Sequence, residues 1–95
     1  MKKPKKKTPT KPAPSVEKEY NKDLEKVGSR IKELRIKRGY SSYEIFAFEN
    51  NINRAQFGRY ERGEDMRVSS LLRLLKALKV SPEEFFKGFW GFFFL

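Results

Sequence analysis

Residues 51–63 read NINRAQFGRYERG and set three guanidinium groups, Arg54, Arg59 and Arg62, around a glycine, Gly58. Guanidinium is a permanent cation with a planar fork of donors. Its chemistry is recognition of carboxylates, phosphates and base edges rather than bond breaking. At about 3.6 residues per turn, Phe57, Tyr60 and Glu61 share one face of a helix here, and Arg54, Ala55, Gly58, Arg59 and Arg62 share the other. The second face is small and basic at once. Small positions at Ala55 and Gly58 would let the backbone approach a surface closely between flanking arginines. A DNA major groove suits that shape, since arginine pairs bidentately with guanine and an alanine methyl meets a thymine methyl. Gly58 costs a helix about 1 kcal/mol relative to alanine, and close approach to DNA is the purpose this reading gives it. The plainer alternative is a solvated arginine face in which a glycine is merely tolerated.

Composition removes most competing chemistries. The chain has no cysteine and no histidine, so disulfides, thiolate nucleophiles and the commonest zinc ligands are excluded. The usual general base is missing too, and no glycine-rich phosphate loop appears. The expectation is therefore a non-enzyme with no metal and no cofactor. Ninety-five residues are enough for one small domain. The formal net charge is +10, six units of it from Lys2, Lys3, Lys5, Lys6, Lys7 and Lys11, which leaves +4 for the rest. A basic tail on a mildly basic domain suits a polyanion. No apolar run approaches the roughly 20 residues that cross a bilayer, and no apolar segment follows the basic start as in a secretory signal. A membrane partner is thus not expected, and the expected location is the bacterial cytoplasm, associated with the nucleoid.

Several elements must position the arginines. Residues 1–14, MKKPKKKTPTKPAP, hold four of the five prolines and are expected to form a disordered, extended tail. Residues 15–88 form the expected domain. Tyr20, Leu24, Val27, Ile31 and Leu34 recur at helical spacing, predicting a long first helix that ends at Gly39, with Ser15 or Asn21 as its cap. Ser42 caps a second helix that carries Ile45, Phe46 and Ala47 inside. Asn50-Asn51 offers a left-handed turn. The third helix opens at Asn53, with Gln56 as a near match to a capping box, and closes at Gly63. The fourth runs from Val68 to Lys79 with Val68, Leu71, Leu72, Leu75 and Leu78 facing inward. SPEE opens a fifth, with Ser81 as cap, Pro82 in the first turn and Glu84 completing the box. Five short helices and no strand make an all-α fold.

In this order, RIKELRIKRG, INRAQFGRYERG and LLRLLKALKVSPEEFF resemble the lambda-repressor-like (XRE/Cro-type) helix-turn-helix family across residues 27–86. The resemblance implies a five-helix DNA-binding domain whose third helix lies in the major groove. It also implies that Arg54, Ala55, Gln56 and Arg59, with Gly58 between them, meet base edges or the groove. By the same resemblance Tyr43 takes the phosphate position, with Ser42 as the neighbouring candidate, and Asn53 and Arg62 join the backbone contacts. Arg35 and Glu61 fall where the family often forms an interhelical ion pair. Asn51 stands where the family's turn has glycine and Asn50 where it has an aliphatic residue, so Phe48 is expected to take over that packing. The link between the first two helices is one residue longer than usual, and the loop after Gly63 one shorter.

The chain ends FFKGFWGFFFL. Phe85 and Phe86 are expected in the core, while Phe89, Trp90, Phe92, Phe93, Phe94 and Leu95 exceed what so small a domain hides. The segment is read first as a homodimer interface, then as a segment docked on its own domain, and last as a membrane anchor. The functional expectation is a transcriptional regulator, a repressor, that binds a pseudo-palindromic operator in double-stranded DNA as a dimer. An antitoxin-like protein-interaction module and an RNA-binding protein are the alternatives.

Overall fold

A computed structural model describes residues 14–89, with side-chain surroundings from residue 21 onward. Residues 1–13 of the expected disordered tail, the Tyr20 side chain, Trp90, Phe92, Phe93, Phe94 and Leu95 lie outside the described residues, and Pro14, assigned to that tail, opens the first helix. The described chain is all-helical: α1 (Pro14–Lys37), α2 (Tyr43–Glu49), α3 (Arg54–Glu61), α4 (Val68–Leu78) and α5 (Pro82–Phe85). Ser15 and Asn21 both lie inside α1, so neither caps it.

The helix boundaries have local causes. Ser42 Oγ accepts from the Ile45 amide, Asn53 Oδ1 from the Gln56 amide and Ser81 Oγ from the Glu84 amide, each satisfying an N–H that the first turn leaves orphaned. The capping boxes are only half made. No hydrogen bond returns from the Gln56 or Glu84 side chain, and the Glu84 carboxylate stands 3.8 Å from Arg30 instead. At the C-terminal ends, α1 closes with Gly39 N–H donating to Ile36 C=O and Tyr40 N–H to Arg35 C=O. Helix α3 repeats that pattern at Gly63 and Glu64, and α4 at Lys79 and Val80. Lys79 does so in the left-handed region, at φ 61°.

Ile31 and Leu34 of α1, Phe46 and Ala47 of α2, Phe57 and Tyr60 of α3, Leu74, Leu75 and Leu78 of α4, and Phe85 form the core. Phe46 and Phe57 lie with ring centroids 5.2 Å apart. Each fully buried Phe, Leu or Ile contributes about 1.5–3 kcal/mol. Four inward assignments fail. Val68 is 71% exposed and Leu72 46%, because the inner face of α4 is set by Leu74, Leu75 and Leu78, with Leu71 at its margin. Ile45 is also exposed, since the seven residues of α2 already place Phe46 and Ala47 on its inner side. Phe86 is partly exposed, stacked edge-on between Phe85 and Phe89. Phe48 is 85% exposed and takes over no packing; Ile52, just past the turn, packs against the core instead.

Two contacts fix how the elements meet. At Gly28 of α1 a β-carbon would stand 2.6 Å from the Glu61 carbonyl oxygen and 2.7 Å from that of Tyr60. Only a residue without a side chain lets α1 cross so close to the end of α3. Arg30 donates from Nε to the Phe85 carbonyl at 3.0 Å and from Nη2 to the Glu84 carbonyl at 2.8 Å, which ties the end of α5 to α1.

Candidate nucleic-acid interface

Helix α3 is joined to α2 by a turn that depends on two asparagines. The Asn50 side-chain amide donates to the Phe46 carbonyl at 2.9 Å, and Asn51 adopts φ 58°. The Ile52 amide then returns to the Ala47 carbonyl at 2.8 Å. Asparagine tolerates left-handed backbone because its short polar side chain bonds locally, so it serves where a glycine would otherwise be needed.

The inner face of α3 is anchored. Phe57 and Tyr60 are buried, and Glu61 receives Arg35 Nε at 2.7 Å and Nη2 at 3.0 Å. The third Arg35 nitrogen, Nη1, donates to the Tyr40 carbonyl at 2.7 Å. The two side chains are only 4% and 8% exposed, so the bidentate pair sits in a weakly screened setting. It holds α3 at a fixed angle to α1.

The outer face is left to solvent: Arg54, Ala55, Gln56, Arg59 and Arg62 are all exposed. Arg54 lies 3.5 Å from Glu44 and Arg59 3.5 Å from Glu64, with both arginines well exposed. Exposed pairs of this kind are worth about 0–1 kcal/mol, so a competing anion or acceptor would displace the carboxylates at little cost. The Gln56 side chain makes no hydrogen bond among the described residues. Asn53 uses Oδ1 as the helix cap, which leaves its Nδ2 donors uncommitted among the described residues. Ser42 Oγ likewise accepts as a cap and keeps its hydroxyl proton to donate. Tyr43 opens α2 with its ring 6.5 Å from Phe57, and its hydroxyl has no partner among the described residues.

Gly58 corrects the sequence reading. It is buried, not presented to the groove, and the tyrosine ring covers it. A β-carbon there would stand 3.1 Å from Tyr43 Cε1, 3.3 Å from Cζ and 3.4 Å from Arg62 Nη1. The glycine makes room for Tyr43 and Arg62. The open small position on the outer face is Ala55.

Sequence reasoning also missed the acidic partners Glu44 and Glu64. Only the position of Glu44, in the first turn of α2, hinted at a link to the neighbouring helix. Phe89, assigned to the aromatic terminus, folds back toward α1: its ring stacks edge-on with Phe86 at 5.3 Å, and Lys26 Nζ lies 5.4 Å from its centroid. Among the described residues no group of acids could hold a metal, and no helix is long and apolar enough to cross a membrane.

Comparison with known proteins bears on this geometry. The family model for the Cro/C1-type HTH DNA-binding domain matches residues 30–87. Among solved structures, the chain is similar to the restriction-modification controller protein C.AhdI from Aeromonas hydrophila. The similarity has a TM-score of 0.63 and 37% identity, and it covers 70% of this chain and 97% of that one. No curated protein matches.

Proposed function

The chain belongs to the Cro/C1-type helix-turn-helix DNA-binding family, and from that premise we propose that it reads duplex DNA sequence-specifically, with α3 in the major groove. One observation carries the reading. The outer face of α3 presents Arg54, Ala55, Gln56 and Arg59 to solvent, while its inner face is locked by Phe57, Tyr60 and the Arg35–Glu61 pair. A rigid helix with two lightly held arginines and a free carboxamide supplies the donors that guanine and adenine edges accept. Tyr43, Ser42, Asn53 and Arg62 flank that face with donors for the phosphates.

The protein acts as a regulator of transcription, and the proposed mode is repression by occupying an operator. One helix of eight residues reads few base pairs, so the proposal includes a dimer on a pseudo-palindromic site, its half-sites about 34 Å apart on one face of the duplex. Phe89, Trp90, Phe92, Phe93, Phe94 and Leu95 are assigned to the contact between copies, where aromatic residues are enriched. Similarity to a restriction-modification controller protein agrees with a regulator acting on DNA; the proposed location is the cytoplasm, beside the nucleoid.

The test is selection of bound duplexes from a random library, with the mass of the complex measured alongside. The reading requires an enriched motif with two-fold symmetry and two chains per duplex. Recovery of unenriched sequences, or preference for hairpin RNA in competition, contradicts it.

A further inference from the structure

We propose that the hollow enclosed by α1, α2 and α3 seats one phosphate of the DNA backbone, with Lys32 of α1 as a contact alongside Tyr43 and Arg62. The proposal rests on the duplex-binding reading above and extends the site to a helix so far given only a structural role. The hollow measures about 220 Å³ and is lined by Lys32, Arg35, Tyr43, Gly58, Glu61 and Arg62.

Its charges do not cancel. Arg35 and Glu61 satisfy each other through two hydrogen bonds and are nearly buried, so the one acid of the hollow is already committed. Lys32 and Arg62 remain. Neither forms an ion pair among the described residues, whereas Arg30, Arg54 and Arg59 each have a carboxylate. Two uncompensated cations beside one small cavity repel each other, and an entering anion converts that repulsion into attraction. The Tyr43 hydroxyl adds a third donor. Ammonium, guanidinium and phenol all donate, and a phosphodiester offers only acceptors, so the match is complete in kind.

Gly58 keeps the hollow open, since any β-carbon there would press on the Tyr43 ring and the Arg62 guanidinium that line it. The glycine therefore serves binding through its neighbours rather than by touching the groove. Arg62 follows Arg59 by three residues on the same helical edge, so the phosphate seated here belongs to the strand beside the bases that α3 faces. A seat built from three helices also fixes the insertion angle of α3.

The test is Lys32→Met in the full chain, which removes the charge and keeps an apolar stem. Lys32 is exposed, so the midpoint of thermal unfolding should match the parent. Binding to a random-sequence duplex is followed by fluorescence anisotropy between about 50 and 200 mM salt, where each lost phosphate contact lowers the slope of log affinity on log salt by about 0.9. The expected result is a several-fold weaker affinity at low salt and a slope shallower by about that amount. An unchanged slope with parental affinity would overturn the seat while leaving the duplex-binding reading intact. A parent protein that binds no duplex overturns both, and is recognised before any substitution is made. In a parallel arm, inorganic phosphate at matched ionic strength is titrated while the Gly58 amide and Tyr43 ring resonances are followed. A response to inorganic phosphate with none to the duplex would give the hollow to a free anion and overturn its assignment to DNA.

Discussion

Tyr43, the first residue of α2, lies across Gly58 in the middle of α3, so close that a β-carbon at 58 would stand 3.1 Å from its ring. The pairing joins the two helices of the helix-turn-helix unit at the place where the proposed phosphate donors and base-reading residues must be held in register. A leucine at 58 would push the tyrosine aside. Gly58→Leu is therefore expected to weaken binding to cognate and scrambled duplexes by the same factor, since Tyr43 is placed on phosphate. Gly58→Ala should leave stability nearly level, because the roughly 1 kcal/mol of helix propensity gained offsets a small shift of a partly buried ring. Competition binding on the two duplexes and a urea melt check both outcomes. A loss confined to one or two base pairs would return Gly58 to the groove.

The Arg35–Glu61 pair should be expensive to break. Removing one partner of a buried pair strands the other charge and costs about 3–5 kcal/mol. Glu61→Gln and Arg35→Met should each lower the urea midpoint strongly, and the double variant should cost less than their sum, because it leaves no stranded charge. Additive losses, or single losses under about 1 kcal/mol, would mean the pair behaves as an exposed one.

Gly28→Ala should destabilise more than its conservative appearance suggests. The added carbon would meet the Tyr60 and Glu61 carbonyl oxygens at 2.7 and 2.6 Å, and these are backbone atoms at the closing turn of α3. Overpacking of this kind costs about 1–3 kcal/mol, against a propensity gain of about 1. Equilibrium unfolding measures the balance, and a variant as stable as the parent would show that α1 slides away from α3 freely.

Deleting residues 1–14, which carry six lysines and no acid, should lower affinity for every duplex about equally and flatten the salt dependence. A shift in the preferred base sequence on deletion would give the segment a reading role instead.

Much of this architecture was legible locally. Ser42, Asn53 and Ser81 act as caps, Gly39, Gly63 and Lys79 close their helices, and Asn51 takes the left-handed turn, because each depends on a few neighbouring residues. What failed depended on distance along the chain. Leucines at 71, 72, 74, 75 and 78 allow two overlapping stripes, and only the partners of α4 select the one through Leu74 rather than Leu72. Gly58 looked like a helix weakness because the Tyr43 ring that requires it lies more than ten residues away, and Gly28 carried no signal at all because the Tyr60 and Glu61 carbonyls that require it lie farther still. The Arg35–Glu61 pair came from family resemblance alone, since no spacing rule links positions 26 residues apart. The unpaired charge of Lys32 had no sequence signature. It emerges only when Glu61, the acid that lines the hollow, is seen to be taken by Arg35.

Whether the solvent-facing arginines of α3 select bases is decided by Arg59→Ala. Affinities for a library-selected duplex and its scrambled counterpart are measured at one salt concentration for parent and variant. The selected duplex should lose about 1–3 kcal/mol, mapped to one or two base pairs, while the scrambled duplex is nearly unaffected. Equal weakening on both would contradict base selection and assign Arg59 to the phosphates.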